Sequence, residues 1–246
     1  MSSQDSIHQV NLEGFNREFN NLAIFFRYKG FYKHPNPKEI DLFSRFVDFQ
    51  VFLRIISERL CDEIHELNQL DKQIINKMMK EEEINDKILQ NYLINFGKIQ
   101  LDLSDFFIYT RIFLDTLTKC IKTSFLKTGY KKYAQFPESS TDLLRDIEKY
   151  KFQIDRTFLE NLGLKMTWVL RFTEHRNGLV HKLYHFVFTN TRNGKFGFDV
   201  INEIRRTWGT NTVKSIINEI QDTVNQIEEL LRFLSGNLPE KKDESV

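Results

Sequence analysis

Apolar positions recur at helical spacing along most of the chain, and the breaks in that rhythm divide it into segments. In "FNREFNNLAIFFRYKGFYKH" the aromatics follow a helical period that stops at Gly30. The next stretch opens with two prolines, and the second, Pro37, suits the first turn of a helix because its missing N–H would be unpaired there anyway. Ile40, Phe43, Phe46, Val47, Val51, Leu53 and Ile56 then mark a long helix. "NQLDKQIINKMMKEEEINDK" is more charged, with Glu81 to Glu83 following Lys80, and reads as a connector or as the tip of a helical hairpin. A second long helical pattern runs from about Ile84 to Leu126, with Ser104-Asp105 a candidate cap or break inside it. Thr128-Gly129 ends that pattern and "YKKYAQFPESS" reads as a loop. Thr141 has the character of an N-cap for "DLLRDIEKYKFQIDRTFLENL", Gly163 interrupts, and "LKMTWVLRFTEHRNGLVHKLY" resumes the helical period.

The pattern changes once. In "HFVFTNTRNGKFGFDVI" aromatic and β-branched residues flank Asn193-Gly194, a dipeptide suited to the two central positions of a type I′ turn, which predicts a small β-hairpin near 184–200. From Asn211 a last helix is expected, with Ile216, Ile220, Val224, Ile227 and Leu231 on one stripe and Gly236 as its stop. The fold class expected is all-α apart from the hairpin. The division expected is 1–84 as an N-terminal helical elaboration, 85–236 as a helical domain and 237–246 as a flexible tail.

Composition sharpens this picture. The 23 phenylalanines give a helical protein bulky side chains for a wide core, while 4 prolines and 10 glycines are few for a turn-rich β fold. A formal net charge of +1 announces no nucleic-acid binder at the level of the whole-protein field, so any RNA contact must come from local patches. Cys61 and Cys120 lack metal-type spacing and are expected as free thiols of a reducing compartment. No apolar signal core opens the chain and no segment has an uncharged span long enough for a bilayer, which together predict a cytoplasmic protein that does not engage a membrane.

One short stretch, "FTEHRNGLVHKLYH", holds three of the six histidines, an arginine and an asparagine. The bland account is a solvated helix face or a polar knot holding a helix turn. The other is an Arg-His pair presented to an anion. "RNGLVH", with Arg176, Asn177 directly after it and His181 four residues further on, resembles the Rx4-6H signature of HEPN domains, in which a polar residue commonly follows the Arg. The resemblance implies a bundle of about four or five helices with the motif near the start of a late helix, here a HEPN-like domain over 85–236. It implies further a metal-independent endoribonuclease of the kind found in toxin-antitoxin, abortive-infection and antiviral defence systems, with Arg176, Asn177 and His181 as catalytic residues and no cofactor. A non-catalytic HEPN module that binds a protein, RNA or nucleotide partner is the alternative.

The chemistry can be argued from the residues themselves. RNA cleavage by internal transesterification needs a base for the 2′-hydroxyl proton, an acid for the leaving 5′-oxygen and positive charge for the phosphorane. A histidine, with an ordinary pKa of about 6.5, serves either proton role near neutral pH. An arginine stays charged and grips phosphate oxygens in a fork. Five residues of ideal helix turn roughly 500°, leaving Arg176 and His181 about 140° apart, whereas Asn177 and His181, four apart, share a face. A second copy of the chain would complete the set. HEPN nucleases commonly use such a composite site, so a homodimer is expected, with an antitoxin or defence-system protein as a possible further partner.

The neighbours of the motif carry weaker signals. His181 and His185 have zinc-ligand spacing, but Lys182 stands where a zincin has Glu, and only Glu174 or His175 offers a third ligand, so no metal is expected. His175, Lys182 and His185 are candidate RNA contacts. Tyr184 invites comparison with HEPN toxins whose Arg-x4-His-x-Tyr tyrosine is adenylylated, although the spacing here is one residue longer; an ordinary amphipathic tyrosine at a helix end is the competing account. "KCIKTSFLKTGYKKY" gathers Lys119, Lys122, Lys127, Lys131 and Lys132 with Tyr130 and Tyr133, which suits either an RNA backbone or a helix C-terminus that favours cations. Arg192, Lys195, Arg205 and Arg206 form a second candidate basic edge. Asp105 and Asp115 are candidates for an ion pair with Arg176, with structural roles the first assignment.

Overall fold

The computed structural model describes residues 9–30, 36–127, 134–150, 156–170, 172–173, 185–190, 196–201 and 214–238, with side chains left undescribed in 29–30, 148–150 and throughout the strands. Among them the chain is predominantly helical: α1 Glu13–Phe25, continued by a π-helical turn Phe26–Gly30, then α2 Pro37–Met79, α3 Asp86–Lys127, α4 Ser140–Tyr150, α5 Arg156–Met166 and α6 Ile216–Asn237. Three strands, β1 His185–Asn190, β2 Phe196–Ile201 and β3 Lys214–Ser215, make an antiparallel sheet in the order β1-β2-β3.

Local chemistry explains most of the boundaries. Asn36 and Glu39 form a reciprocal cap at the start of α2: Glu39 N–H donates to Asn36 Oδ1 and Asn36 N–H donates to Glu39 Oε2, each over 3.0 Å. Pro37 follows as the first helical residue, as its spacing predicts. The charged connector proves much shorter than the composition suggests, because α2 continues to Met79 and only residues 80–85 separate it from α3. Ser104 does not break α3: its hydroxyl donates to the Gln100 carbonyl over 2.8 Å, one turn back, and the helix passes through. The N-cap of α4 is Ser139 rather than Thr141, since Ser139 Oγ accepts from Asp142 N–H and the Ser139 carbonyl accepts from Leu143 N–H. The single helix expected from Thr141 to Leu162 is two elements, α4 and α5, packed on each other. Gly163 lies inside α5, and a Cβ there would stand 2.6 Å from Ile147 Cδ1, so the glycine permits close helix approach instead of ending the helix. Helix α6 starts at Ile216, not Asn211, because Lys214 and Ser215 are drawn into the sheet, and it runs past Gly236 to Asn237.

In the sheet, His185 lies opposite Ile201 and Asn190 opposite Phe196. An unbroken ladder closed by a two-residue turn at Asn193-Gly194 would set Asn190 opposite Gly197, so the register is one residue away from it. Asn193 and Gly194 themselves lie outside the described residues.

The chain divides into two compact units, one of residues 12–52, 108–174 and 223–246, the other of residues 1–11, 53–107 and 175–222. The first is organised around phenylalanines. Phe19 stacks on Phe46 at 4.5 Å between centroids and Phe49 on Phe113 at 4.0 Å, with Phe15 and Phe26 against their edges. In the second, the chain reverses direction between α2 and α3, and Leu53, Ile56, Leu60, Leu67, Ile99, Leu103 and Phe106 are buried. The domain boundary expected at residue 84 falls in that reversal, inside this unit, where residues 53–79 and 86–107 are packing partners.

The buried positions follow a seven-residue count. In α2, Phe46, Leu53, Leu60 and Leu67 are seven apart and buried; Phe49 and Ile56 repeat at the same interval, and Leu70 follows two intervals on. In α3, Ile99, Phe106, Phe113 and Cys120 form one such series and Leu103, Thr110, Leu117 and Ser124 the other. Of the stripe expected for α2, Phe46, Leu53 and Ile56 are buried, whereas Ile40 and Val51 are half-exposed or more, because at about 100° per residue both fall on the side of the helix away from the Phe46–Phe49 seam. The expected α6 stripe, Ile216, Ile220, Val224, Ile227 and Leu231, is wholly buried.

Candidate functional site

Arg176, Asn177 and His181, with His175, Lys182, Tyr184, Lys131 and Lys132, lie outside the described residues. His185 opens β1 in register with Ile201. The described chain reaches Thr173, three positions before Arg176.

Arg111 is the centre of that region. Its guanidinium donates through Nη1 to Thr173 Oγ1 over 3.0 Å and through Nη2 to Ser139 Oγ over 3.1 Å, and pairs with Asp115, one turn along α3, at 3.2 Å. Asp115 Oδ1 in turn accepts from the backbone N–H and the hydroxyl of Ser140, each over 2.8 Å. Thr173 also donates to the Val169 carbonyl over 3.1 Å and meets the Thr141 hydroxyl at 3.3 Å. Asp115 thus holds the first residue of α4, and Arg111 fastens the α4 cap to the helical residues 172–173. These are structural roles for Asp115, as its position on α3 first suggests. Its links between elements join residues 25 to 62 positions apart, which no local motif announces.

The basic cluster at the end of α3 is partly neutralised within the chain. Lys122 pairs with Glu138 at 3.0 Å and Lys127 with Glu39 at 2.9 Å, while Lys119 is exposed. The Lys122 ammonium, through its hydrogen bond and its charge, holds the Glu138 carboxyl below its ordinary range. Two of the five lysines considered for RNA therefore have carboxylate partners.

A second polar cluster, unremarked in the sequence, lies between α2 and α3. Arg59 Nη2 meets Asp102 Oδ1 at 2.6 Å, and the Asp102 side chain is fully buried. Glu63, one turn along α2 from Arg59, brings its carboxyl against that of Asp102, and Glu63 Oε2 and Asp102 Oδ2 are both buried with no donor among the described residues. Burial raises the Asp102 pKa against the pull of Arg59, with Asp105 adding repulsion. Glu63 is pushed to about 7, first by burial and then by the Asp102 charge. A seven-residue count would have found Glu63, which takes the place in α2 that Ile56 and Leu70 take one repeat away.

Burial raises the thiol pKa values of Cys61 and Cys120, so neither is an activated nucleophile. Among the described residues no group of three or more His, Cys, Asp or Glu side chains could hold a metal ion, and no helix is long and apolar enough to cross a membrane.

No family model matches the chain, and comparison with curated proteins and with solved structures finds no match.

Proposed function

We propose that the chain is a metal-independent endoribonuclease of the HEPN type, acting as a toxin or phage-defence effector. One observation carries this reading: Arg176, Asn177 and His181 stand in the order Arg-Asn-x3-His, late in a chain that is otherwise predominantly helical. In the proposed reaction the 2′-oxygen attacks the adjacent phosphorus, the P–O2′ bond forms and the P–O5′ bond breaks. His181 takes the 2′-hydroxyl proton and its counterpart from a second chain gives one to the leaving 5′-oxygen. Arg176 lies against the non-bridging oxygens, where charge accumulates. Asn177, four residues before His181, orients the phosphate by hydrogen bonding.

The test is cleavage by the purified chain in EDTA. RNA ending in 2′,3′-cyclic phosphate is expected from wild type, and none from His181→Ala at wild-type helical content. Strict dependence on added divalent metal, or full cleavage by His181→Ala, overturns the mechanism. No cleavage by soluble wild type under any trigger moves the assignment to a HEPN module that binds a protein, RNA or nucleotide partner.

A further inference from the structure

We infer that Glu63 and Asp102 form a proton-sharing carboxyl pair that fastens the α2–α3 hairpin while one proton is present and loosens it when that proton leaves. The inference is independent of any nuclease activity.

The geometry sets the problem. Asp102 is fully buried, and Arg59 engages only its Oδ1. Oδ2 of Asp102 and Oε2 of Glu63 are both buried with no donor reaching them from the described residues. Two ionised carboxylates have four acceptor oxygens and nothing to donate, so a contact between them is repulsive and leaves buried acceptors unpaired. One proton reverses this. It gives Glu63 an O–H that donates to the Asp102 carboxylate, and such a charge-assisted bond is among the stronger ones a core can hold.

The surrounding charges decide which residue keeps the proton. Arg59 from α2 lies directly on Asp102 and favours its charged form. Lys98 and Arg59 attract a Glu63 carboxylate, Asp102 and Asp105 from α3 repel one or both carboxyls, and the Lys98 ammonium is engaged by Asn95 Oδ1 at 3.2 Å. No cation makes direct contact with Glu63 among the contacts described, so Glu63 is the acid and Asp102 the carboxylate. Placed in the buried seam between Ile56 and Leu70, the pair ties loss of the proton to loss of helix–helix contact.

The sign follows from linkage. Glu63 has its pKa raised in the folded chain, from an ordinary 4.5 to about 7. The folded state therefore binds this proton more tightly than the unfolded state, and stability is greatest on the acid side. It declines as pH rises from about 4.5 to about 7 and levels off above that.

Glu63→Gln is nearly isosteric and carries a permanent donor, so it stands in for the protonated acid. Urea unfolding of the full chain followed by circular dichroism at pH 5.5 and 8.5 tests the proposal. Wild type is expected to unfold at lower urea at pH 8.5, and Glu63→Gln to lose most of that difference. A wild-type midpoint that does not fall, or a Glu63→Gln chain that keeps the whole wild-type difference, overturns it. Should Glu63→Gln fail to fold, amide exchange of wild type decides. After correction for the intrinsic pH dependence of exchange, protection of residues 60–70 and 98–106 is expected to fall by about tenfold or more across that interval, the factor that one pH unit carries in a proton-linked equilibrium. Unchanged protection there overturns the proposal.

Discussion

The Arg59 guanidinium meets Asp102 over 2.6 Å, with Asp102 fully buried and Arg59 half-exposed. The asymmetry makes the two residues unequal as targets. Arg59→Ala leaves a buried carboxylate without its cation, and the half-exposed position of Arg59 tempers the loss, so a cost of about 2 kcal/mol is expected. Arg59→Lys should recover part of it, since the charge remains and the planar fork is gone. Urea unfolding at pH 7 measures both, and an Arg59→Ala midpoint equal to wild type would contradict the ion pair.

The cap between Asn36 and Glu39 predicts a smaller effect at the start of α2. Asn36→Ala removes the acceptor for Glu39 N–H and should destabilise by about 1 kcal/mol. Asn36→Asp should be close to neutral, because it keeps the acceptor and adds charge at a helix N-terminus. Thermal unfolding of the two variants separates the hydrogen bond from the charge.

Phe46 is fully buried and contacts the rings of Phe19, Phe26, Phe43 and Phe113. Truncation to Ala is expected to cost about 3–5 kcal/mol, through lost transfer energy and a cavity between rigid rings that cannot close over it. Phe46→Leu should retain over half of that. Equal losses for the two variants in chemical unfolding would mean that the cluster repacks freely.

Gly163→Ala sets two effects against each other. An alanine inside α5 gains about 1 kcal/mol of helix propensity. The new Cβ meets Ile147 Cδ1 at 2.6 Å, and overpacking of this kind costs about 1–3 kcal/mol. A net loss is expected. Ile147→Val removes the obstructing methyl group, so the double variant should be more stable than Gly163→Ala alone. Strict additivity in the double-mutant cycle would show that the two residues do not touch.

The composite site proposed for the nuclease gives a sharper test than either single substitution. Arg176→Ala and His181→Ala chains should each be inactive and non-toxic when expressed in bacteria, whereas unrestrained wild type should arrest growth. Mixed, the two variants are expected to regain part of the RNA cleavage, since one interface then holds a complete set. A wild-type enzyme that is active and strictly monomeric by light scattering would exclude the arrangement.

The sequence by itself determined the helical class and much of the boundary chemistry. Pro37 at the opening of α2 and the buried α6 stripe are local signals, set by backbone geometry and by a hydrophobic period that needs no partner to be read. The motif at Arg176, Asn177 and His181 is equally a property of the sequence. The folded structure decided the rest, and most of those choices depend on residues distant in the chain. Gly163 reads as a stop until Ile147 occupies the space beside it. Ser104 reads as a break until its hydroxyl finds the Gln100 carbonyl and the helix continues to pack on both sides of it. Lys122 and Lys127 read as free cations until Glu138 and Glu39 arrive from other parts of the chain. Glu63 reads as one charge among many until Asp102 faces it across the hairpin, because an ionisable side chain acquires a shifted proton affinity only from the burial and the charges that folding brings to it.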